Sequence, residues 1–234
     1  LEGIEQAIEY NCRYINLAIA DGAEGFPILM TSTINPNPIS AESCFKLISE
    51  LAFQKHDSPF IISLQIFCKR PQRDILADVI SRVFHGYLYV VPGSAFNLSS
   101  IPPIKMMRNK ILFQMQAKYP TFSIDDGKEF RAQVREPLDT FCNLFEEPYQ
   151  EMNLKTVYGI FRFNFSRFQQ IMENDDIKHH ILDFTRKHLI CVHPDQRANF
   201  NVNPITMARA GVQFYPIDYR IHDKVNFYSR MVFQ

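Results

Sequence analysis

The sequence predicts an α/β fold, either a barrel or a doubly wound sheet, in which strand-length apolar runs alternate with amphipathic helical stretches. Three observations carry that expectation. Phe60-Ile61-Ile62-Ser63-Leu64-Gln65-Ile66 is rich in β-branched residues and nearly free of polar ones, the composition of a strand covered on both faces. Ile4, Ala7 and Ile8, and again Phe45, Ile48 and Leu51, recur at helical spacing on either side of a strand-like run. The apolar fraction, 46% of 234 residues, suffices for one substantial core or two small ones.

In order along the chain, a helix over 1–10 feeds a strand over Tyr14–Ala20 that ends in the Asp21-Gly22 turn. A short apolar piece, Phe26 to Met30, precedes a loop rich in Pro and Asn, Thr31–Pro38. Ser40 is placed to cap a helix running to about Gln54. After the strand at Phe60–Ile66 come a helix over Asp74–Phe84, a strand over Tyr87–Val91, a loop over Pro92–Pro103 and a strand over Lys110–Gln116. From Ser123 to Glu151 acidic residues accumulate and Pro137 interrupts an amphipathic pattern, which reads as an inserted connector. Strands then return at Val157–Phe163, Leu189–His193 and Val212–Ile217, separated by helices over Ser166–Glu173 and Asp176–Lys187 and a helical turn over Pro204–Ala210.

Charge and cysteine usage narrow the function classes. Lys plus Arg equals Asp plus Glu at 25 each, so no net field draws a polyanion and nucleic-acid binding is not expected. No apolar run approaches the roughly 18 residues a membrane span requires, and the N-terminus lacks a signal pattern. A cytoplasmic protein is expected. Five cysteines without CxxC spacing favour neither a disulfide framework nor a zinc site.

Three stretches carry a family resemblance. Asn11-Cys12-Arg13-Tyr14-Ile15-Asn16-Leu17-Ala18-Ile19-Ala20-Asp21-Gly22 resembles the Gly-Cys-Arg-x-Leu-Glu-Leu-Asp-x-Trp-Asp-Gly segment of eukaryotic phosphoinositide-specific phospholipase C, matching at Cys12, Arg13, Leu17, Asp21 and Gly22. Pro59 through Cys68 is similar to that family's Pro-Val-Ile-Leu-Ser-Leu-Glu-Asn-His-Cys. Asn201 and Pro204, with Met207, Gly211 and Gln213 at matching spacing, are similar to its Asn-Tyr-x-Pro-x-x-Met-Trp-x-x-Gly-x-Gln. The resemblance implies a distorted TIM (β/α)8-type barrel with its chemistry at the C-terminal ends of the strands. It divides the chain into an X half over 1–122, an acidic linker over 123–151 and a Y half over 152–234. Seven strands are counted, and the eighth is expected upstream of Leu1.

At the positions that the resemblance makes functional, the chemistry is missing. The family binds calcium through carboxylates and an Asn, uses two His as acid and base, and holds the ring phosphates with Lys, Ser and Arg. One His falls at Thr31, and the carboxylates fall at Asn16, Ala18 and Gln65. The two Lys fall at Gln114 and Gln116, the Ser at Asn164, and the Arg and Tyr at Cys191 and His193. The apolar flanks Ile15, Leu17, Ile62, Leu64, Ile111, Leu112, Val192 and Pro194 still fit, so a misplaced register does not account for the loss. No catalytic set, calcium site or other cofactor is expected. Two neutral amides and a methyl group do not hold a hard cation tightly, and a Thr does not exchange protons near neutral pH.

The resemblance therefore implies a catalytically inactive phospholipase-C-like protein acting as a scaffold or regulatory interaction module in phosphoinositide or intracellular signalling. A protein partner and peripheral membrane contact through domains outside this chain accompany that expectation. The alternatives are a binding module for a neutral polar ligand or lipid headgroup, lined by Asn16, Gln65, Gln114, Gln116 and Asn164, and a residual phosphodiesterase. Cys191 and His193 share one strand face and could form a nucleophilic pair, but a structural role is the expected one. His179 and His180 are adjacent on a helix and point apart, as surface residues do. Phe161, Phe163 and Phe165 alternate as core residues of a strand.

Overall fold

The computed structural model describes residues 1–30, 37–89, 103–116, 136–148, 159–186, 188–193, 195, 201–215, 217, 221, 223–225 and 227. It divides into two compact units, Leu1–Phe145 and Glu146–Gln234.

In the first unit, helix α1 (Glu2–Glu9) leads into strand β1 (Tyr14–Asp21), followed by β2 (Pro27–Leu29), α2 (Ala41–Leu51), β3 (Phe60–Ile66), α3 (Arg70–Val83) and β4 (Ile111–Gln116). Strands β1, β3 and β4 are parallel, with Asn16 opposite Ser63 and Ser63 opposite Gln114. β2 is antiparallel and covers only Ile19–Asp21 of β1. Connecting parallel neighbours requires crossovers, which α2 and α3 supply. The side-chain alternation of a strand then sorts the residues. Ile15, Leu17 and Ile19, with Phe60, Ile62 and Leu64 and with Ile111, Phe113 and Met115, pack against Phe45 and Ile48 of α2 and Leu76 and Ile80 of α3. At the centre, the rings of Phe45, Phe84 and Phe113 meet in tilted and edge-on contacts with centroids 5.4 to 6.3 Å apart.

Residues matched to the family turn out to hold this framework. The Arg13 guanidinium donates to the carbonyls of Ala52 and Ser58 and lies over the rings of Phe53 and Phe60, tying the start of β1 to the loop before β3. Gly22 exchanges two hydrogen bonds with the Gln72 amide, both 3.0 Å. A Cβ at Gly22 would meet the Phe26 carbonyl oxygen at 2.2 Å, which is why the turn needs glycine. Ser40 caps α2 as expected, accepting from the Ser43 amide at 3.0 Å. Helix α3 starts four residues before the expected Asp74, because Pro71 fits a first turn where no amide hydrogen is needed.

Two stretches show detail that the sequence did not announce. The strand expected over Tyr87–Val91 is described as far as Tyr89, where it forms one bridge, Leu88 to Ile111; residues 90 and 91 lie outside the described residues. Beyond it, the Asn143 side chain takes the ladder's place: Oδ1 accepts from the Phe113 amide at 2.8 Å and Nδ2 donates to the Tyr89 carbonyl at 2.9 Å. Secondly, the acidic stretch contains regular structure. A 3-10 turn over Pro137–Phe141 carries a capping box between Glu136 and Asp139 and is followed by strand β5 (Cys142–Pro148). Glu136 pairs with Arg73 at 2.6 Å, and Leu138 enters the core of the first unit. Counting charges concealed the apolar partners between them. Replacing Asn143 by Leu is expected to orphan two backbone groups at roughly 1–3 kcal/mol each. Asn143→Asp keeps the acceptor but sets a buried carboxylate oxygen against the Tyr89 carbonyl, so it is expected to lose at least as much in a urea titration at neutral pH.

In the second unit, β6 (Gly159–Asn164), α4 (Phe165–Glu173), α5 (Asp175–Thr185), β7 (Leu189–His193) and α6 (Pro204–Arg209) follow in order. β6 and β7 are parallel, with Arg162 opposite Cys191 and Asn164 opposite His193. Phe161, Phe163, Ile190 and Val192 pack against Phe168 and Ile171 of α4 and Ile181 and Phe184 of α5. Phe165 opens α4 instead of continuing the strand, while still packing against this core. His179 and His180 are exposed on α5, as expected. The strand expected over Val212–Ile217 appears among the described residues as one bridge, Cys191 to Phe214. Gln213 accepts from the Ile190 amide at 2.7 Å and donates to the Thr185 carbonyl at 3.1 Å. Gly211 has φ +73°, and a Cβ there would lie 2.5 Å from Thr185 Oγ1.

Candidate functional site

The helices cover one face of each parallel strand group, so chemistry on these strands belongs to the opposite face. In the first unit that face carries Asn16 and Ala18 from β1, Ser63 and Gln65 from β3, and Gln114 from β4. Register arranges them in rows. Asn16, Ser63 and Gln114 are successive partners across three strands, and Ala18 faces Gln65 in the next row. Asn16 is exposed, whereas Ser63 and Gln114 are buried. The structure thus brings together Asn16, Ala18, Gln65 and Gln114. Gln116 ends β4, and Thr31 lies outside the described residues.

These side chains form a set of neutral oxygen and nitrogen donors. A hard divalent cation is held by charged oxygens, and this row offers two amides and a hydroxyl with no carboxylate among them. The nearest acidic group along β1, Asp21, accepts a hydrogen bond from the Lys69 amide at 3.0 Å. The residues therefore do not fit calcium. Among the described residues, no group of three or more His, Cys, Asp or Glu is placed to hold a metal ion.

The corresponding face of the second unit is more polar than the sequence expectation allowed. It carries Arg162 and Asn164 from β6 and Cys191 and His193 from β7. Cys191 Sγ lies 3.3 Å from His193 Nε2, and the thiol is 1% exposed, a packed pair without substrate access. Glu146, at the second unit's end of β5, forms an ion pair with Arg162 at 2.8 Å; its side chain is 7% exposed against 38% for the arginine. Burial depresses the His193 pKa, Arg162 lowers it further, and Glu146 opposes them. Arg162 and Glu146 were missed from sequence. The signal was present in Phe161-Arg162-Phe163, where the strand period puts the arginine on the face away from both rings.

The depressed His193 has a consequence for stability. Between its folded value and the ordinary value near 6.5, the unfolded chain binds the proton and the folded chain does not, so stability present above that range is lost as pH falls below about 6.5. Denaturant midpoints at pH 7.5 and 5.5 are expected to differ less in His193→Gln than in the native chain.

Parallel strands crossed by helices, with polar groups gathered on the opposite face, define an α/β scaffold of the barrel type. Residues 1–117 match the family phosphatidylinositol-specific phospholipase C, X domain, and the chain belongs to that family. Inactive phospholipase C-like protein 1 of Homo sapiens is 29% identical over 89 residues, 38% of this chain and 8% of that protein. The 1-phosphatidylinositol 4,5-bisphosphate phosphodiesterase delta-4 of Bos taurus is 27% identical over 112 residues, 48% of this chain and 14% of that protein. The matched stretches thus span about a tenth of these relatives. The crystal structure of S. officinalis PLC21 superimposes with a TM-score of 0.81 at 19% identity, covering 99% of this chain and 32% of that one. That likeness shows the fold, the α/β barrel type expected from the sequence. Among the described residues no helix is long and apolar enough to cross a membrane.

Proposed function

We propose that this chain is a catalytically silent phospholipase-C-like barrel that serves as a scaffold or regulatory interaction module in phosphoinositide or intracellular signalling. One observation carries the reading: the register of β1, β3 and β4 is intact, yet the row it aligns, Asn16, Ser63 and Gln114, and the neighbouring pair Ala18 and Gln65 are uncharged. A framework kept without its ionised groups loses acid and base work of about 10²–10⁴-fold and the several kcal/mol of charge stabilisation that a metal contributes. The match to a relative named inactive phospholipase C-like protein 1 supports the same reading. The division into X half, acidic linker and Y half, the absence of a cofactor, a protein partner, cytoplasmic placement and membrane contact through domains outside this chain belong to this proposal. Turnover of phosphatidylinositol bisphosphate with calcium tests it, since activity abolished by changing Asn16 or Gln65 would overturn it.

A second reading is favoured by the same row. Amide and hydroxyl groups on one strand face suit an uncharged polar ligand such as a polyol or a neutral headgroup. A thermal shift with inositol, absent in Gln114→Leu, would support it; no shift across a panel of neutral polyols removes it.

A further inference from the structure

We propose that the end of the first unit from which β1, β3 and β4 start is a docking surface for an acidic segment of a partner protein, one that carries an apolar anchor residue. Such a surface serves the interaction-module reading and rests on it for its purpose, while naming the partner's chemistry. Parallel pairing puts the starts of the three strands at one end, and backbone hydrogen bonds fasten the loops there to one another. The Asn109 amide donates to the Asp57 carbonyl and the Ile111 amide to the Tyr87 carbonyl, both at 2.7 Å. On this end the 3-10 turn Ile104–Met107 buries Met107 and leaves Ile104 67% and Met106 59% exposed. Tyr87, 38% exposed, meets the Phe53 ring with centroids 5.3 Å apart. The turn is pinned. Asn109 takes φ +55°, a conformation asparagine tolerates, and the Lys110 amide closes onto the Met107 carbonyl at 3.0 Å. The two exposed side chains are therefore presented by backbone that is already ordered, which lowers the cost of binding.

Charge selects the partner. The loops over 53–59, 85–89 and 103–110 hold Lys55, Lys105, Arg108 and Lys110 against Asp57 as their one carboxylate. Lys110 Nζ is fixed on the Gly86 carbonyl at 2.7 Å, and Arg108 meets Asp57 at 3.3 Å with both side chains more than half exposed. An exposed pair of that kind contributes little and exchanges for another carboxylate. The whole chain is neutral, so the positive excess is local and steers an acidic segment to this end. Composition favours a protein over a bilayer. Tyr, Met and Arg are enriched where protein interfaces are buried, and an aliphatic pair beside a tyrosine ring is the size of a peptide's anchor contact. A bilayer surface draws instead on a polybasic run or an amphipathic helix with one basic face, and these three loops contain neither.

Random linear peptides displayed on phage, selected against the native full chain, supply the probe. The recovered peptides are then titrated by fluorescence anisotropy into the native chain, I104S/M106S and K105E/R108E. Peptides with Asp or Glu flanking a Leu or an aromatic residue are expected to dominate the selection. Their affinity is expected to fall by about tenfold or more in each variant and to weaken with added salt. Every substituted position is exposed, so both variants are expected to melt with the native chain. Selected peptides without an excess of carboxylates would overturn the proposal, as would acidic peptides that bind both variants as tightly as the native chain. Vesicles of phosphatidylserine and phosphatidylcholine that bind the native chain but not K105E/R108E, with no acidic peptide recovered, would overturn it in favour of a bilayer. Calcium-dependent turnover would remove the silent-barrel reading and leave these titrations unchanged, so the two failures are told apart.

Discussion

Writing the carboxylates back as Asn16→Glu, Ala18→Asp and Gln65→Glu is expected to give the chain a calcium response larger than that of the native sequence. Positions 18 and 65 are direct partners in adjacent strands and position 16 lies two residues along on the same face, so three carboxylates would meet on one small area. Without an ion they repel, and one of them is held protonated above its usual range. Calcium relieves that repulsion. With an affinity near the weak end for oxygen sites, about 1 mM, about 10 mM calcium stabilises the triple variant by about 1.4 kcal/mol. For a chain of this size that is a rise in melting temperature of roughly 3–6 °C. Magnesium, which demands a tighter octahedral shell, is expected to do less. A native chain that shifts with calcium as far as the triple variant would contradict the account of its neutral row.

The framework makes the opposite kind of demand. Phe113 is fully buried, between the rings of Phe45 and Phe84, at the point where β4 meets α2 and α3. Truncating it removes transfer free energy and leaves a cavity that fixed neighbours cannot fill, so Phe113→Ala is expected to cost about 3–5 kcal/mol. That corresponds to a fall of roughly 6–20 °C in melting temperature. Phe26, 59% exposed, is the matched control: Phe26→Ala is expected to stay within about 0.5 kcal/mol of the native chain. Equal losses at the two positions would show that the ring cluster does not organise the first unit.

Which parts of this were legible in sequence follows from what the signals measure. β1 announces itself by period-two burial, β3 and β7 by apolar runs buried through their middles, and the register places Asn16, Gln65 and Gln114 on one face. β5 did not, since Glu146 and Glu147 mark it as solvated while Glu146 is in fact buried against Arg162. An ion pair across two strands leaves no periodic trace in either one. Of the Tyr87–Val91 strand the described residues show the Leu88–Ile111 bridge, and the Tyr89 carbonyl there accepts from Asn143, fifty-four positions on, a contact that no local pattern announces. Gly22, Gly211 and Gln213 were recognised as family matches, and the structure supplies their cause in close packing and backbone hydrogen bonds.

The claim on which the rest depends is that the scaffold persists while its ionised chemistry does not. Release of water-soluble inositol phosphate from vesicles containing phosphatidylinositol bisphosphate, measured with the full chain in saturating calcium, tests it most directly. The account predicts a rate indistinguishable from vesicles alone. Calcium-dependent release that disappears in Gln65→Ala or Asn16→Ala would contradict it.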